Sequence, residues 1–399
     1  LAWGSNLDWG YNKHPPMSAF FVEIIYKIFG PQDWAYYLLS QLFVIFSFFI
    51  VFRLGEKIFN NKVLSLLSVL VLEGIYFYNF TTPEFNVNVC QLPFWSLAIY
   101  YSWLIYDKKK LCFKDCLLLG LFAGFGFLSK YLFLYLLASV TLIFLYLIFI
   151  KKHKKFDFKY LLSFEIFIVL MVPHFIWLFN NDFITITYGI ARTGSADSSI
   201  IDHIKYPVIF LFKQVGIIIP FLILIFLLIN KFKFNLNLKD KKLFFLLSIN
   251  FLPIILIFLT SFILGFKIRT MWMTPFYLFF GTLFIYLLKN QINISKLKSF
   301  LVGFVILSIL SPISYAYVSL FQADKRTDYP GNKIAQKMLK NWNQEFNEDI
   351  NVVLGDEWHA GNLSYHLNTR PVWDGAIDQN KLDNYNKYIC IDKVCLGNK

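Results

Sequence analysis

The feature that most constrains this chain is a series of long apolar runs, with every second break between them rich in lysine. Runs of about 20 residues, helical at about 1.5 Å per residue, match the roughly 30 Å hydrocarbon core of a bilayer. Composition agrees, with 57% of the 399 residues hydrophobic and 16% charged. Ordinary soluble domains hold about 45–50% and about 25%. The net charge of +13 does not describe a nucleic-acid binder, because the lysines lie in loops between apolar runs and not on one soluble face. The five cysteines follow no paired zinc spacing.

A bilayer-length window predicts about ten spans. They are Trp34–Leu54, Val63–Phe80, Asn88–Tyr106, Asp115–Ser129, Tyr131–Ile150, Tyr160–Phe179, Tyr206–Ile229, Leu243–Leu264, Met271–Leu288 and Ser299–Val318. The fourth is short, and Asp115–Ile150 also reads as one broken hydrophobic hairpin. Lysine and arginine then set the direction. The loops at 53–62, 108–114, 151–159, 231–242 and 289–298 hold 20 of them. The alternate loops, including the first 33 residues, hold seven: Lys13, Lys27, Lys130, Arg192, Lys205, Lys267 and Arg269. Positive charge stays on the cytoplasmic side, so the lysine-rich loops face the cytoplasm and the residues after Val318 lie outside. Leu1 also falls outside. An outside start without a signal segment predicts one further span upstream, or about eleven in all.

The chain therefore divides into a multi-span part, residues 1–320, and a small α/β domain, residues 321–399, outside the membrane. In the latter, Asn332–Phe346 reads as an amphipathic helix carrying Ile334, Met338, Leu339 and Trp342 on one side. Residues 351–355 read as a buried strand, 357–367 as a helix, and 370–375 and 387–392 as further strands. Cys390 and Cys395 lie on the oxidising side, where pairing is open to them. Asp356, Glu357, His359 and His366 match no tight metal template and read as exposed polar residues.

With the direction set, the polar chemistry gathers on the outer side. Asp8 through Pro16, Thr81 through Glu84, Ser129-Lys130-Tyr131, Phe179 through Asp182 and Phe266 through Trp272 all fall there. Basic groups at the membrane boundary suit an anionic headgroup, and a nearby carboxylate suits deprotonation of an incoming hydroxyl. Each has a plainer reading. The prolines after His14 suit the start of the amphipathic segment Met17–Phe29. Glu84 suits the first turn of a following helix. Glu73, inside a span near its outer end, reads as functional or as a hydrated or capped carboxylate. Lys213 is placed to snorkel. Lys130 interrupts two apolar runs, a costly position for an idle charge unless it reaches the interface.

The stretch Gly10-Tyr11-Asn12-Lys13-His14-Pro15-Pro16-Met17, with the segment ending Phe29-Gly30, resembles the first outer loop of C-type glycosyltransferases. The resemblance is to the bacterial branch of the protein mannosyltransferase superfamily, which includes the aminoarabinose–lipid A transferases. Thr82-Pro83-Glu84, Leu128-Ser129-Lys130-Tyr131, Pro173-His174-Phe175-Ile176-Trp177 through Phe183 and Arg192, and Arg269 through Pro275 match later loops in order. The resemblance implies an all-α polytopic membrane domain of that type. It implies inverting transfer of a sugar from a polyprenyl-phosphate donor at the outer face of the bacterial inner membrane. The acceptor would be lipid A, another glycan or a protein. The family's principal acid would lie upstream of Leu1, since Asp8 does not match it. Glu84 would be the second acidic position, where relatives more often carry Asp. Lys13, His14, Lys130 and Arg269 would meet the donor phosphate, with Tyr11, Tyr131, Arg192 and Lys267 as secondary candidates. Some relatives bind a divalent metal, and no other cofactor is implied. Partners are then the lipid-linked donor, the acceptor and the bilayer, with no nucleic acid.

Two other classes share such a substrate. A transporter or flippase of lipid-linked glycans would show inverted repeats and broken helices at matching positions, and no such symmetry is visible. A polymerase or ligase would favour a very large late outer loop, whereas the longest here runs from Asn180 to Lys205.

Overall fold

A computed structural model describes residues 1–194, 199–233, 236–323, 325, 328–375, 386–391 and 394–398. In chain order the helices are α1 (Met17–Phe29), α2 (Asp33–Phe59), α3 (Lys62–Leu70), α4 (Tyr76–Phe80), α5 (Val87–Cys90) and α6 (Leu92–Asp107). Then come α7 (Phe113–Ser129), α8 (Leu134–Leu145), α9 (Lys159–Asn180), α10 (Ile184–Ala191) and α11 (Asp202–Leu228). The chain continues through α12 (Lys241–Leu264), α13 (Phe280–Leu288), α14 (Leu297–Phe321), α15 (Gly331–Glu345) and α16 (Glu357–His366). Four strands, β1 (Val352–Gly355), β2 (Val372–Trp373), β3 (Lys387–Ile391) and β4 (Val394–Asn398), complete it.

These residues form two compact units, one of residues 12–15 and 37–316, the other of residues 1–11, 16–36 and 317–399. The C-terminal unit begins at 317, close to the expected 321, and it also takes in residues 1–11 and 16–36. The reason is apolar burial. Ala2 joins the hydrophobic core made by α15, α16 and the sheet, with Trp3 packed against it.

Among the described residues, six helices are long and apolar enough to cross a bilayer: α2, the continuous Tyr131–Ile150 helix that contains α8, and α9, α11, α12 and α14. Counting the 3-10 turn Thr270–Tyr277 and α13 as one span bent by 51° makes seven. The other three expected spans are short or interrupted. Val63–Phe80 breaks at the 3-10 turn Val71–Gly74 between α3 and α4. There Glu73 Oε1 accepts from Asn79 at 2.7 Å. Asn88–Tyr106 divides into α5 and α6, with a proline in the first turn of α6. Pro lacks the N–H an interior position would need, so it starts a helix more readily than it continues one. Helix α7 has 17 residues, about 25 Å of rise. It ends at Lys130, whose extended backbone (φ −167°, ψ 135°) separates it from the Tyr131–Ile150 span.

Helices α7 and α9 meet along a stripe of small residues. A Cβ on Gly120 would stand 2.5 Å from the Ser163 carbonyl oxygen, and one on Gly124 would stand 2.6 Å from Leu170 Cδ1. At Gly120, where the neighbour is backbone, only glycine admits this approach, a common device where lipid supplies no hydrophobic drive between helices. Ser163 Oγ adds a bond to the Cys116 carbonyl at 2.7 Å.

In the other unit, β1 pairs parallel with β2, and β4 pairs antiparallel with both β1 and β3, giving the order β2-β1-β4-β3. Ala335, Met338 and Trp342 of α15 are buried with Val353, Leu363 and Leu396. Strand β4 was not anticipated, and Cys390 and Cys395 are bonded across the β3–β4 hairpin. Asp356 caps α16, its Oδ1 accepting from the Trp358 and His359 amides at 2.9 and 3.1 Å. An ion pair closes the unit at its N-terminal side: Arg370 donates to Glu23 Oε2 and to the Leu1 carbonyl, each at 2.9 Å. Its guanidinium also lies 4.4 Å from the centre of the Tyr26 ring.

Candidate functional site

The site is built around Lys130, within the unit of residues 12–15 and 37–316. Extended backbone at Lys130 ends the α7 ladder, and the side chain is only 5% exposed. Its Nζ donates to Asn88 Oδ1 and lies 5.4 Å from the centre of the Trp272 ring. Asn88 is held in turn by Asn86, whose side chain accepts from the Asn88 and Val89 amides at 2.9 and 3.3 Å and starts α5. Both contacts of Lys130 are neutral. Burial without an acidic neighbour strips hydration from the ammonium, and its pKa falls to about 7.

His14 is half-buried beside this group. Burial, and then the charges of Lys130, Lys13 and Arg192, push its pKa down to about 3. The structure thus assembles Lys13, His14, Lys130 and Arg192 from three separate segments, but His14 enters as a neutral imidazole and not as the cation the sequence suggested. The segment bearing Lys267 and Arg269 reaches the same place through its backbone. The Lys267 amide donates to the Thr193 carbonyl at 3.0 Å, next to Arg192, and the Trp272 amide donates to the Arg269 carbonyl at 3.0 Å. Tyr131 adds a polar edge: its hydroxyl lies 2.7 Å from His174 Nε2, with Thr185 as a further partner. The His174 ring stacks on Trp177 at 6.2 Å.

Two expected residues have other partners. Tyr11 belongs to the other unit, where its hydroxyl donates to the Asn6 carbonyl at 3.0 Å and accepts from the Asp8 amide at 3.1 Å. Glu84 is exposed; its carboxylate accepts from Tyr315 at 3.4 Å. The turn that carries it is fastened to α2, since Ser40 Oγ and Gln41 Nε2 both donate to the Thr82 carbonyl, at 2.6 and 2.9 Å. Glu84 lies four residues before Asn88, the partner of Lys130. Sequence reading missed Asn88 and Tyr315. The Asn86-Val-Asn88 start of a helix was a signal for the first; nothing local marks the second. Among the described residues no three His, Cys, Asp or Glu side chains converge as metal ligands.

Lys130 is buried where α7 ends, with half-buried Lys13 and exposed Arg192 near it, and the fold around it has known counterparts. The chain matches the crystal structure of ArnT from Cupriavidus metallidurans bound to undecaprenyl phosphate, with a TM-score of 0.62 at 13% identity, over 95% of this chain and 80% of that one. Residues 13–177 match the dolichyl-phosphate-mannose-protein mannosyltransferase family. The fold match runs over most of the chain, and the family match is confined to residues 13–177. Among curated relatives, it is 29% identical over 127 residues to the undecaprenyl phosphate-alpha-4-amino-4-deoxy-L-arabinose arabinosyl transferase of Wigglesworthia glossinidia brevipalpis, covering 31% of this chain and 22% of that protein. It is 24% identical over 196 residues to the lipopolysaccharide core galacturonosyltransferase RgtB of Rhizobium johnstonii, covering 49% and 39%. The chain thus spans less than half the length of the curated relatives it matches.

Proposed function

We propose that this protein transfers a sugar, with inversion, from a polyprenyl-phosphate donor to an acceptor at the outer face of the bacterial inner membrane. The observation that carries the reading is Lys130: a buried ammonium whose contacts are an amide and a ring. An uncompensated buried charge is strongly disfavoured, and a phosphodiester is an anion found at the depth where these helices end. Lys13 and Arg192 add charge to the same place, and Arg269 lies on the segment that leads to Trp272. Arginine presents a fork to two phosphate oxygens, whereas lysine supplies a point charge.

In the reaction the acceptor oxygen attacks the anomeric carbon from the side opposite the phosphate. The carbon–oxygen bond to phosphate breaks, and its electron pair leaves on the polyprenyl phosphate, where the cations stabilise the developing charge. The acceptor proton passes to a carboxylate. Glu84 is the candidate in this chain, either as that base or as a group that orients the acceptor. Lipid A, another glycan and a protein are the acceptor classes in play, and the curated relatives named for lipopolysaccharide and aminoarabinose chemistry favour a cell-envelope glycan.

The test is direct. Membranes containing the protein are supplied with polyprenyl-phosphate sugars, and release of polyprenyl phosphate is followed against Lys130→Met. Sugar-dependent release that disappears in Lys130→Met supports the reading. Release that is equal in both, or donor binding unaffected by the substitution, refutes it.

A further inference from the structure

A basic cavity among the described residues plays no part in the chemistry above. It has a volume of about 760 Å3 and lies between the loop after α6, the loop before α9 and the start of α12. Its frame is explained by the structure. Lys154 Nζ donates to the Ile105 and Lys108 carbonyls at 2.6 and 2.8 Å and so ties two loops together. Tyr106 donates to the Lys241 carbonyl at 2.9 Å and ties α6 to α12. Lys108 pairs with Asp115 at 2.5 Å, and Lys159 with Asp157 at 3.8 Å.

Four cations remain. Lys109, Lys110, Lys155 and Lys241 line the cavity, and among the described residues none has a carboxylate partner. Converging ammonium groups repel one another and concentrate anions between them. The apolar part of the lining says which kind of anion. Tyr106, Leu111, Phe156 and Tyr160 share the cavity with the lysines. Phe156 and neighbouring Phe158 are also turned outward, 50% and 78% exposed. A free phosphate has no use for exposed aromatic rings beside its site, whereas a lipid has a phosphate and acyl chains to place side by side.

We propose that this cavity holds the phosphate headgroup of an anionic membrane lipid, through the juxtaposition of Lys109, Lys110, Lys155 and Lys241 with the outward rings of Phe156 and Phe158. Basic pockets between helices on the cytoplasmic side are the places where such headgroups bind. Under the orientation read from the lysine asymmetry this is the cytoplasmic end, opposite the outer loops that carry Lys13 and Lys130. The site would anchor the α6, α9 and α12 ends and does not depend on the sugar-transfer reading.

The test uses the full chain in nanodiscs of phosphatidylcholine with a minority of phosphatidylglycerol, with no sugar donor present. Retained phosphatidylglycerol is counted by native mass spectrometry. The combined variant Lys109→Gln, Lys110→Gln, Lys155→Gln, Lys241→Gln should retain about tenfold less or lower still. A control with the same charge loss on other lysine-rich loops, Lys231→Gln, Lys233→Gln, Lys289→Gln, Lys298→Gln, should change retention by less than about twofold. Equal loss in both variants would assign the effect to general surface charge and overturn the proposal, as would undiminished retention in the cavity variant. Inorganic pyrophosphate is the competitor for the wild type. Full displacement of the lipid would make this a free-phosphate site and also overturn it. Single Lys155→Gln guards against misfolding of the combined variant, and should already lower retention measurably.

Discussion

The most discriminating perturbation is a change of pH across the Lys130 transition, read as donor affinity. In the free protein Lys130 is half protonated near pH 7, because burial lowers its pKa to about 7. A donor phosphodiester stays singly charged over this range, so the titrating partner is the lysine. The sign follows. Raising pH removes the proton from the free site, binding must then take a proton up, and affinity falls. With a pKa of about 7, the loss between pH 7 and about 8.5 is about sixteenfold in apparent Kd. His14 contributes nothing there, since it titrates at about 3. Lys130→Arg keeps its charge throughout, so its profile should be flat over the same interval even if the absolute affinity drops. The assay is equilibrium binding of labelled undecaprenyl phosphosugar to the purified protein at a series of pH values and fixed ionic strength. A flat wild-type profile, or an equally steep one in Lys130→Arg, would refute the argument that Lys130 is the titrating phosphate ligand.

Four further outcomes are expected. Glu84→Gln keeps shape and removes charge, so turnover should fall by about 10²-fold or more if Glu84 moves the acceptor proton; near-normal turnover with a normal fold would dismiss that role. Arg269→Lys keeps charge and loses the fork, so the donor-dependence curve should shift to higher concentration, and an unchanged curve would reduce Arg269 to a lipid anchor. Arg370→Ala leaves Glu23 buried without its partner, in a pair whose side chains are 11% and 8% exposed, and should destabilise that unit by about 3–5 kcal/mol; limited proteolysis of residues 317–399 over a temperature series measures it, and an unshifted profile counts against the pair. In a Cys112→Ser background, Asn347→Cys should react with a membrane-impermeant thiol reagent in intact cells and Lys152→Cys should not; equal labelling would reverse the orientation drawn from lysine counts.

What the sequence determined by itself is the part written in short-range pattern. Apolar runs located α2, α9, α11, α12 and α14 to within a few residues, because transfer of a continuous apolar stretch into lipid outweighs local detail. Periodicity placed α1 over Met17–Phe29 and gave α15 its buried face of Met338 and Trp342. The motif order, with Lys130 standing between two apolar runs, pointed to the residues of the site. How those residues meet follows from long-range packing. Lys130 finds Asn88, 42 positions away, and the ring of Trp272; no local rule links the three. Partial burial then turned His14 from a candidate cation into a neutral imidazole, helped by the charges of Lys130 and Arg192 from distant segments and of its neighbour Lys13. The broken helix at Glu73 depends on Asn79 bonding both its side chain and the Leu307 carbonyl, and the N-terminal segment joins the C-terminal sheet through Glu23 and Arg370, 347 positions apart. Helix and span are local balances of backbone bonding and apolar transfer, legible wherever the pattern is continuous. Burial, pairing and pKa belong to neighbours that only the folded chain selects.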